Sequence, residues 1–256
     1  MAVEWEAHVR PEVGNAVLFW DFDGTLAVRD GRWSGALVEA VRLVDPHASL
    51  RADQLRPHLQ SGFPWHRPDV VVEVTTSAAW WTRLRPVIVN TYATAGIGSQ
   101  VANAAVDLLP TTYYSPGSWR LVDDAVEALE QARLAGYRNV ILSNHAPELP
   151  ELVQDLGLSP LIELTITSAA IGAEKPNPLI FQYAIDLARA CVERSWMIGD
   201  NPVADIAGAE TAGLRAVLVG PTQRDDAYPG LLSAVEFIKG QTPSPVNEGR
   251  TQCDAL

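Results

Sequence analysis
The chain has 256 residues, 47% of them hydrophobic, and a formal net charge of −12. That length suffices for one large domain or two smaller ones with a full core, and so acidic a balance argues against an electrostatic grip on nucleic acid or an anionic membrane surface. No apolar run approaches the roughly 20 residues of a membrane helix, residues 1–15 lack the basic start and apolar stretch of a secretory leader, and two distant cysteines, Cys191 and Cys253, make no disulfide framework or metal-ligand pattern, which together predict a soluble, cytoplasmic protein.

Residues 1–15 are polar and read as a loose arm. Ala16 to Trp20 is a short continuous apolar run, the pattern of a strand buried on both faces of a parallel sheet. It runs directly into Asp21-Phe22-Asp23-Gly24-Thr25. The extended period of two puts Asp21 and Asp23 on one side, and Gly24 allows the chain to turn. From about residue 29 to 112 the sequence becomes rich in tryptophan and reads as helices joined by Pro-rich turns. Ser34 is placed to cap a helix carrying Ala36, Leu37, Ala40, Val41 and Val44, stopped at Asp45-Pro46. A short helix fits 52–60, with Pro57 inside it, and 61–69 is loop. Trp81, Leu84, Ile88, Tyr92 and Ala95 mark a longer helix that Pro86 should kink or split and Gly96 should close. A further helix over 100–109 is expected to end at Pro110.

From Leu121 the pattern turns regular. Val122, Ala125, Val126, Leu129 and Ala132 form a helical stripe closed by Gly136. Strands at 139–142, 161–166, 196–198 and 215–219 alternate with helices at 147–156, 178–190 and 202–211, and a last short helix covers 231–238. Such alternation predicts an α/β protein with a doubly wound, Rossmann-like parallel sheet. The helical block becomes an insertion between its first two strands. The predicted domains are 1–28 with 113–240 as the α/β core, 29–112 as an inserted α-helical cap, and 241–256 as a disordered polar tail.

Several polar residues fall at or just past strand ends: Asp21 with Asp23, Ser143 with Asn144, and Asp200 after Gly199. Parallel strands share one carboxyl edge, so these residues converge although they are distant in sequence. Two close carboxylates repel unless a cation or a shared proton relieves them. Asp205 lies five residues past Asp200, across a Pro202 suited to a first helical turn. An oxygen-only set of Asp21, Asp200 and, through water, Asp205 is what a hard cation such as Mg²⁺ takes. Lys175 is one of two lysines in the chain and sits just before a helix start, a counter-charge for carboxylates and phosphate. Taken singly, Ser143 reads as a helix cap, Lys175 as a solvated loop residue and Asp205 as an ordinary first-turn carboxylate; their order and their shared sheet edge favour a site.

In these motifs the sequence resembles the haloacid dehalogenase superfamily. Asp21-Phe22-Asp23-Gly24-Thr25 is similar to its first motif, Ser143 after Val140-Ile141-Leu142 to the second, Lys175-Pro176 to the third, and Gly199-Asp200 with Asp205 to the fourth. The helical insertion resembles the cap of the phosphoglycolate-phosphatase-like branch. The resemblance implies Asp21 as a nucleophile forming an aspartyl phosphate and Asp23 as general acid and base. It implies Ser143, Asn144 and Lys175 around the phosphoryl oxygens, and Mg²⁺ on Asp21, the Asp23 carbonyl, Asp200 and Asp205. The reaction it implies is hydrolysis of a small phosphorylated metabolite. Dehalogenases of the family lack the second aspartate, present here as Asp23, and phosphonate-cleaving relatives use a cap lysine, whereas residues 29–115 contain none. A phosphosugar mutase and a non-catalytic binding protein remain as alternatives. Trp65 and His66, in a Pro-bounded loop, are the candidates for substrate specificity.

Overall fold
A computed structural model describes residues 15–72, 76–220 and 227–241; the predicted arm over 1–14, the tail over 242–256 and Cys253 lie outside the described residues. Its elements in chain order are β1 (Val17–Trp20), β2 (Ala27–Arg29), α1 (Arg32–Val44), α2 (Ala52–Leu55), α3 (Ser77–Thr94), α4 (Ser99–Tyr113), β3 (Trp119–Leu121), α5 (Ala125–Leu134), β4 (Arg138–Ser143) and α6 (Leu149–Asp155). There follow β5 (Leu164–Thr167), α7 (Ser168–Ile171), α8 (Pro178–Ala188), β6 (Trp196–Gly199), a π-helical turn (Pro202–Ala207), α9 (Gly208–Thr211), β7 (Arg215–Leu218) and α10 (Leu231–Gln241).

The main sheet has the order β5-β4-β1-β6-β7, and every pairing in it is parallel. β1, the first strand in sequence, therefore lies at its centre. Its four residues are fully buried and divide between the two faces by strand alternation. Leu18 and Trp20 join Ile141 and Ile198 in a core shared with α5, α10 and the helical insertion. Val17 and Phe19 join Val140, Leu142 and Met197 in a second core under α8. The buried Trp20 indole donates to Asn139 Oδ1 at 3.1 Å, and the Asn139 amide donates to the carbonyls of Leu129 and Leu161. β1 and β4 are thus tied by a satisfied polar group inside an apolar layer.

Several local expectations are revised. β2 and β3 form an antiparallel ribbon of three residue pairs through which the chain leaves the sheet for the helices and returns to it. Ser34 does not cap α1: Gly31 occupies the N-cap with φ of 69°, and the Ser34 hydroxyl bonds its carbonyl from within the first turn. α3 runs through Pro86 as one element. It ends as predicted at Gly96, where Gly96 N donates to Ala93 O and Ile97 N to Tyr92 O. α4 continues past Pro110 to Tyr113, because burial of Thr112 and Tyr113 outweighs the one hydrogen bond a late proline removes. The predicted helix over 52–60 becomes α2 followed by a 3₁₀ turn opened by the Arg56-Pro57 pair. Cys191 is buried in the connection between α8 and β6. No helix among the described residues is long and apolar enough to cross a membrane.

Candidate functional site
The site grows from the end of β1. The Asp21 amide donates to Ile198 O at 2.9 Å, extending the β1–β6 ladder one residue past the strand and holding the Asp21 backbone in place. Phe22 turns the other way, fully buried against Trp119 and His145. Its carbonyl accepts the amides of Thr25, Leu26 and Ala27, folding the chain back on itself. Gly24 sits at φ of 100°, and a Cβ there would stand 2.3 Å from Asp200 Oδ2. A Cβ at Gly199 would stand 2.2 Å from Asp205 Oδ2. The two glycines are therefore what lets three acidic segments pack this closely.

Asp21 is 7% exposed. Its Oδ1 accepts from Ser143 Oγ at 2.9 Å and from Lys175 Nζ at 2.8 Å, while Oδ2 meets only Thr25 Oγ1 at 3.4 Å. Ser143 is thus no helix cap, and Lys175, 2% exposed, is no solvated loop residue. The three ammonium donors of Lys175 go to Asp21 Oδ1, to Leu142 O at 2.8 Å and to Asp205 Oδ1 at 2.5 Å. Burial opposes the lysine charge, but the carboxylates of Asp205 and Asp21 and the hydrogen bonds to both outweigh it and hold its pKa above the ordinary value.

Asp205 is reached through the π-helical turn. The Asn201 side chain caps that turn by accepting from Val203 N and Ala204 N, and the Asn201 carbonyl accepts from both Asp205 N and Ile206 N. Both carboxylate oxygens of Asp205 are occupied, Oδ1 by Lys175 and Oδ2 by the Asn201 amide at 2.9 Å. Burial pushes its pKa to about 7, against the pull of Lys175. Asp23 is also pushed to about 7, first by burial and then by the charges of Asp21 and Asp200, with Arg32 opposing. Its Oδ1 is buried without a hydrogen-bond partner. Asp200 is more open, and burial followed by the Asp21 charge raises its pKa.

Oxygens of Asp21, Asp200 and Asp205 all lie within 4.8 Å of one another. An all-oxygen set of this size, an orphaned Asp23 oxygen beside it and glycines clearing the approach fit a hard divalent cation. The geometry divides the roles more sharply than spacing did: Asp21 and Asp200 retain oxygens that could face an ion, whereas Asp205 is already bound to Lys175 and Asn201.

The remaining sequence-derived candidates differ in outcome. Asn144 lines the cavity, and its side chain is bound to the Lys175 backbone. Its amide donates to Lys175 O at 2.9 Å and its oxygen accepts from Lys175 N at 2.6 Å, so it fixes the backbone that carries the lysine. His66 is exposed and lies off the cavity wall, because its Nδ1 accepts from Phe63 N at 3.3 Å and closes a 3₁₀ turn. Trp65, its neighbour, does line the cavity. Arg32 escaped the sequence reading. It opens α1 with φ of 46°, and its guanidinium lies 3.5 Å from Asp200 Oδ2 and 3.8 Å from Asp23 Oδ1. The Gly31-Arg32 pair straight after the β2 segment was the only signal for it.

The carboxylates form the floor of a cavity of about 810 Å³ between the sheet edge and the helical insertion. His145 is buried beside it and bonds the Tyr114 hydroxyl through Nδ1 at 2.5 Å. Burial depresses its pKa to about 4, so its imidazole is neutral at ordinary pH.

Comparison with known proteins gives a consistent picture. The family model for haloacid dehalogenase-like hydrolases matches residues 16–213. The human haloacid dehalogenase-like hydrolase domain-containing protein 3 is 31% identical over 183 residues, covering 66% of this chain and 72% of that protein. The mouse protein of the same name is matched over 60% of its length. A phosphoserine phosphatase of Thermus thermophilus is 36% identical over 100 residues, 39% of this chain and 40% of that enzyme. Among solved structures, the putative HAD-hydrolase YfnB of Bacillus subtilis superposes with a TM-score of 0.65 at 20% identity, covering 87% of this chain and 98% of that one, a likeness of fold.

Proposed function
The chain belongs to the haloacid dehalogenase-like hydrolases, and on that premise we propose that it is a Mg²⁺-dependent phosphatase that hydrolyses a small phosphorylated metabolite through an aspartyl phosphate on Asp21. One observation carries this reading: Asp21 Oδ1 is held by Ser143 and Lys175 while Oδ2 is left almost unengaged at the edge of an acidic cluster. The phosphatases among the relatives agree with it.

In this reading Lys175 and Ser143 orient the carboxylate so that Oδ2 meets phosphorus in line with the leaving oxygen. As the P–O bond of the ester breaks, the Asp23 carboxyl gives its proton to the departing alkoxide. The same group, now a carboxylate, takes a proton from water as that water attacks the aspartyl phosphate, which releases phosphate and restores Asp21. A pKa near 7 suits a residue that must do both. Asp21, Asp200 and the Asp23 carbonyl would hold Mg²⁺, which when bound supplies charge neutralisation for the phosphoryl oxygens. Asp205 keeps Lys175 charged and aimed, and Asn144 fixes the loop that carries it. Residues 29–112 act as the cap over the site, with 1–28 and 113–240 as the catalytic core.

The test is hydrolysis of p-nitrophenyl phosphate by the purified protein with Mg²⁺. Turnover should vanish on chelation and in Asp21→Asn. A panel of sugar phosphates, phosphoglycolate, phosphoserine and nucleotides would then rank the substrates. Metal-loaded protein that turns over none of these esters would refute the reading.

A further inference from the structure
Above the carboxylate floor the cavity is walled by aromatic rings. Trp33 and Trp65 are partly exposed, and each is backed by a buried ring: Trp33 stacks on Tyr113 at 4.4 Å between centroids, Trp65 on Phe63 at 4.5 Å. Tyr113 and Phe63 are each 2% exposed. The two indoles stand 5.6 Å apart with 36° between their planes, and both line the cavity. Rings held from behind by stacking lose little freedom on meeting a ligand, and their free faces favour another flat ring. Tyr113 lines the same cavity as Asp23, so the wall and the proposed acid border one space.

The charges around the cavity are as informative. Three cations line it, Lys175, Arg32 and Arg56. Lys175 is wholly engaged by Asp21, Asp205 and Leu142 O, and Arg32 lies against Asp200 and Asp23. Arg56 is exposed at the end of α2. The buried cation against the wall, Arg29 over the Tyr113 ring, is already paired with Glu39, so a carboxylate or second phosphate on the leaving group would meet its counter-charge at the exposed Arg56, whereas a flat ring can be covered by the indoles themselves.

Resting on the phosphatase reading above, we infer that the leaving group is a flat aromatic or heteroaromatic moiety that stacks on the Trp33–Trp65 surface while its phosphate sits at Asp21. Trp65 is the specificity-determining residue of this arrangement. It belongs to the loop between α2 and α3, which carries no catalytic group.

The experiment separates ring recognition from leaving-group reactivity by using alkyl esters throughout. Hydrolysis of 2-naphthylmethyl phosphate, glycerol 3-phosphate and phosphoserine is measured with the full chain and Mg²⁺. In parallel, calorimetry compares the binding of 2-naphthylmethylphosphonate and methylphosphonate, neither of which can be hydrolysed. The aromatic ester is expected to show a kcat/KM at least about tenfold above the other two, and the aromatic phosphonate a Kd lower by a similar factor. In Trp65→Ala the ratio of aromatic to glycerol kcat/KM should collapse about tenfold, and Trp65→Phe should restore most of it. Equal binding of the two phosphonates, or a preference for phosphoserine, overturns the inference. Tight binding of the aromatic phosphonate with no ester hydrolysed upholds ring recognition at the Trp33–Trp65 surface and overturns the phosphatase reading instead.

Discussion

The sheet edge and the helical insertion meet at one cavity but are built by different physics. At the edge, position comes from backbone and charge. Asp21 is pinned by a ladder hydrogen bond, Lys175 by three acceptors and Asn144, and Asp205 by the Asn201 amide. In the insertion, position comes from ring against ring, with Trp33 touching Phe63, Trp65, Trp80, Trp81 and Tyr113. Hydrogen-bonded charge is directional and tolerates almost no change of side chain; stacked rings tolerate exchange of one apolar shape for another. The difference assigns chemistry to the edge and selection to the insertion, and it predicts that mutations on the two sides fail in different ways.

The sharpest break should come at the edge. Asp21→Asn keeps shape and volume but removes the nucleophile, and phosphomonoester turnover should fall by at least about 10³-fold. Steady-state hydrolysis with a thermal melt alongside checks it: a folded variant with wild-type turnover would displace Asp21 from its role. Lys175→Met should damage the fold as well as the rate. It leaves Asp21 and Asp205 buried without a cation, a loss of about 3–5 kcal/mol. Urea unfolding measures it, and the Lys175→Met/Asp205→Asn double variant should recover part of the loss because the orphaned charge goes too. A single variant as stable as wild type would show that the pair is solvated and not the keystone described here.

These edge residues are also the ones most legible in the sequence. Asp21, Ser143, Lys175 and Asp200 stand at fixed places relative to strand ends, and a parallel sheet brings such places to one edge whatever lies between them. The strands themselves were visible as short apolar runs between helical stripes. The insertion was legible only as helices. Most of its aromatic residues read as cap core rather than ligand contacts, because sequence alone does not show that Trp33 stacks on the distant Tyr113 and still lines the cavity. His66 looked functional from its loop, but the loop is a tight turn that uses its ring for capping. Asn144 was read into the phosphate site beside Ser143; it lines the cavity while its side chain bonds the Lys175 backbone, a second role that spacing does not show. β2 and β3 were invisible, since strands of three residues are too short to show a period.

The pH dependence of stability sharpens the same contrast. Burial holds the Asp23 carboxyl at about 7 in the metal-free fold, against an ordinary 3.8. Between these values the unfolded chain ionises while the folded one keeps its proton. Stability should therefore fall as pH rises from about 4 to 7 and level off above that. His145 works the other way: its pKa of about 4 lies below the ordinary 6.5, so its contribution is present above 6.5 and lost as pH falls toward 4. Comparing metal-free wild type with Asp23→Asn cancels the histidine. The variant should gain on wild type steadily from pH 5 to 7.5 in urea midpoints. Parallel curves would show that Asp23 ionises freely in the fold.

The smallest effect tests whether the two regions separate at all. α3 is fastened to the start of α6 through one carboxylate oxygen: Glu148 Oε1 accepts from Ser77 Oγ and from Trp81 Nε1 at 2.8 Å, while Glu148 Oε2 is buried without a partner. Trp81→Phe deletes the indole donor and keeps an aromatic ring in the cluster, at a cost of about 1 kcal/mol. If residues 29–112 move as a cap on the core, that loss should fall on the insertion. Amide hydrogen exchange in α3 should then quicken about fivefold while β1 and β4 keep their wild-type rates. Uniform acceleration across both would mean that one cooperative unit spans the aromatic wall and the carboxylate edge, and that the cavity between them opens only when the whole chain does.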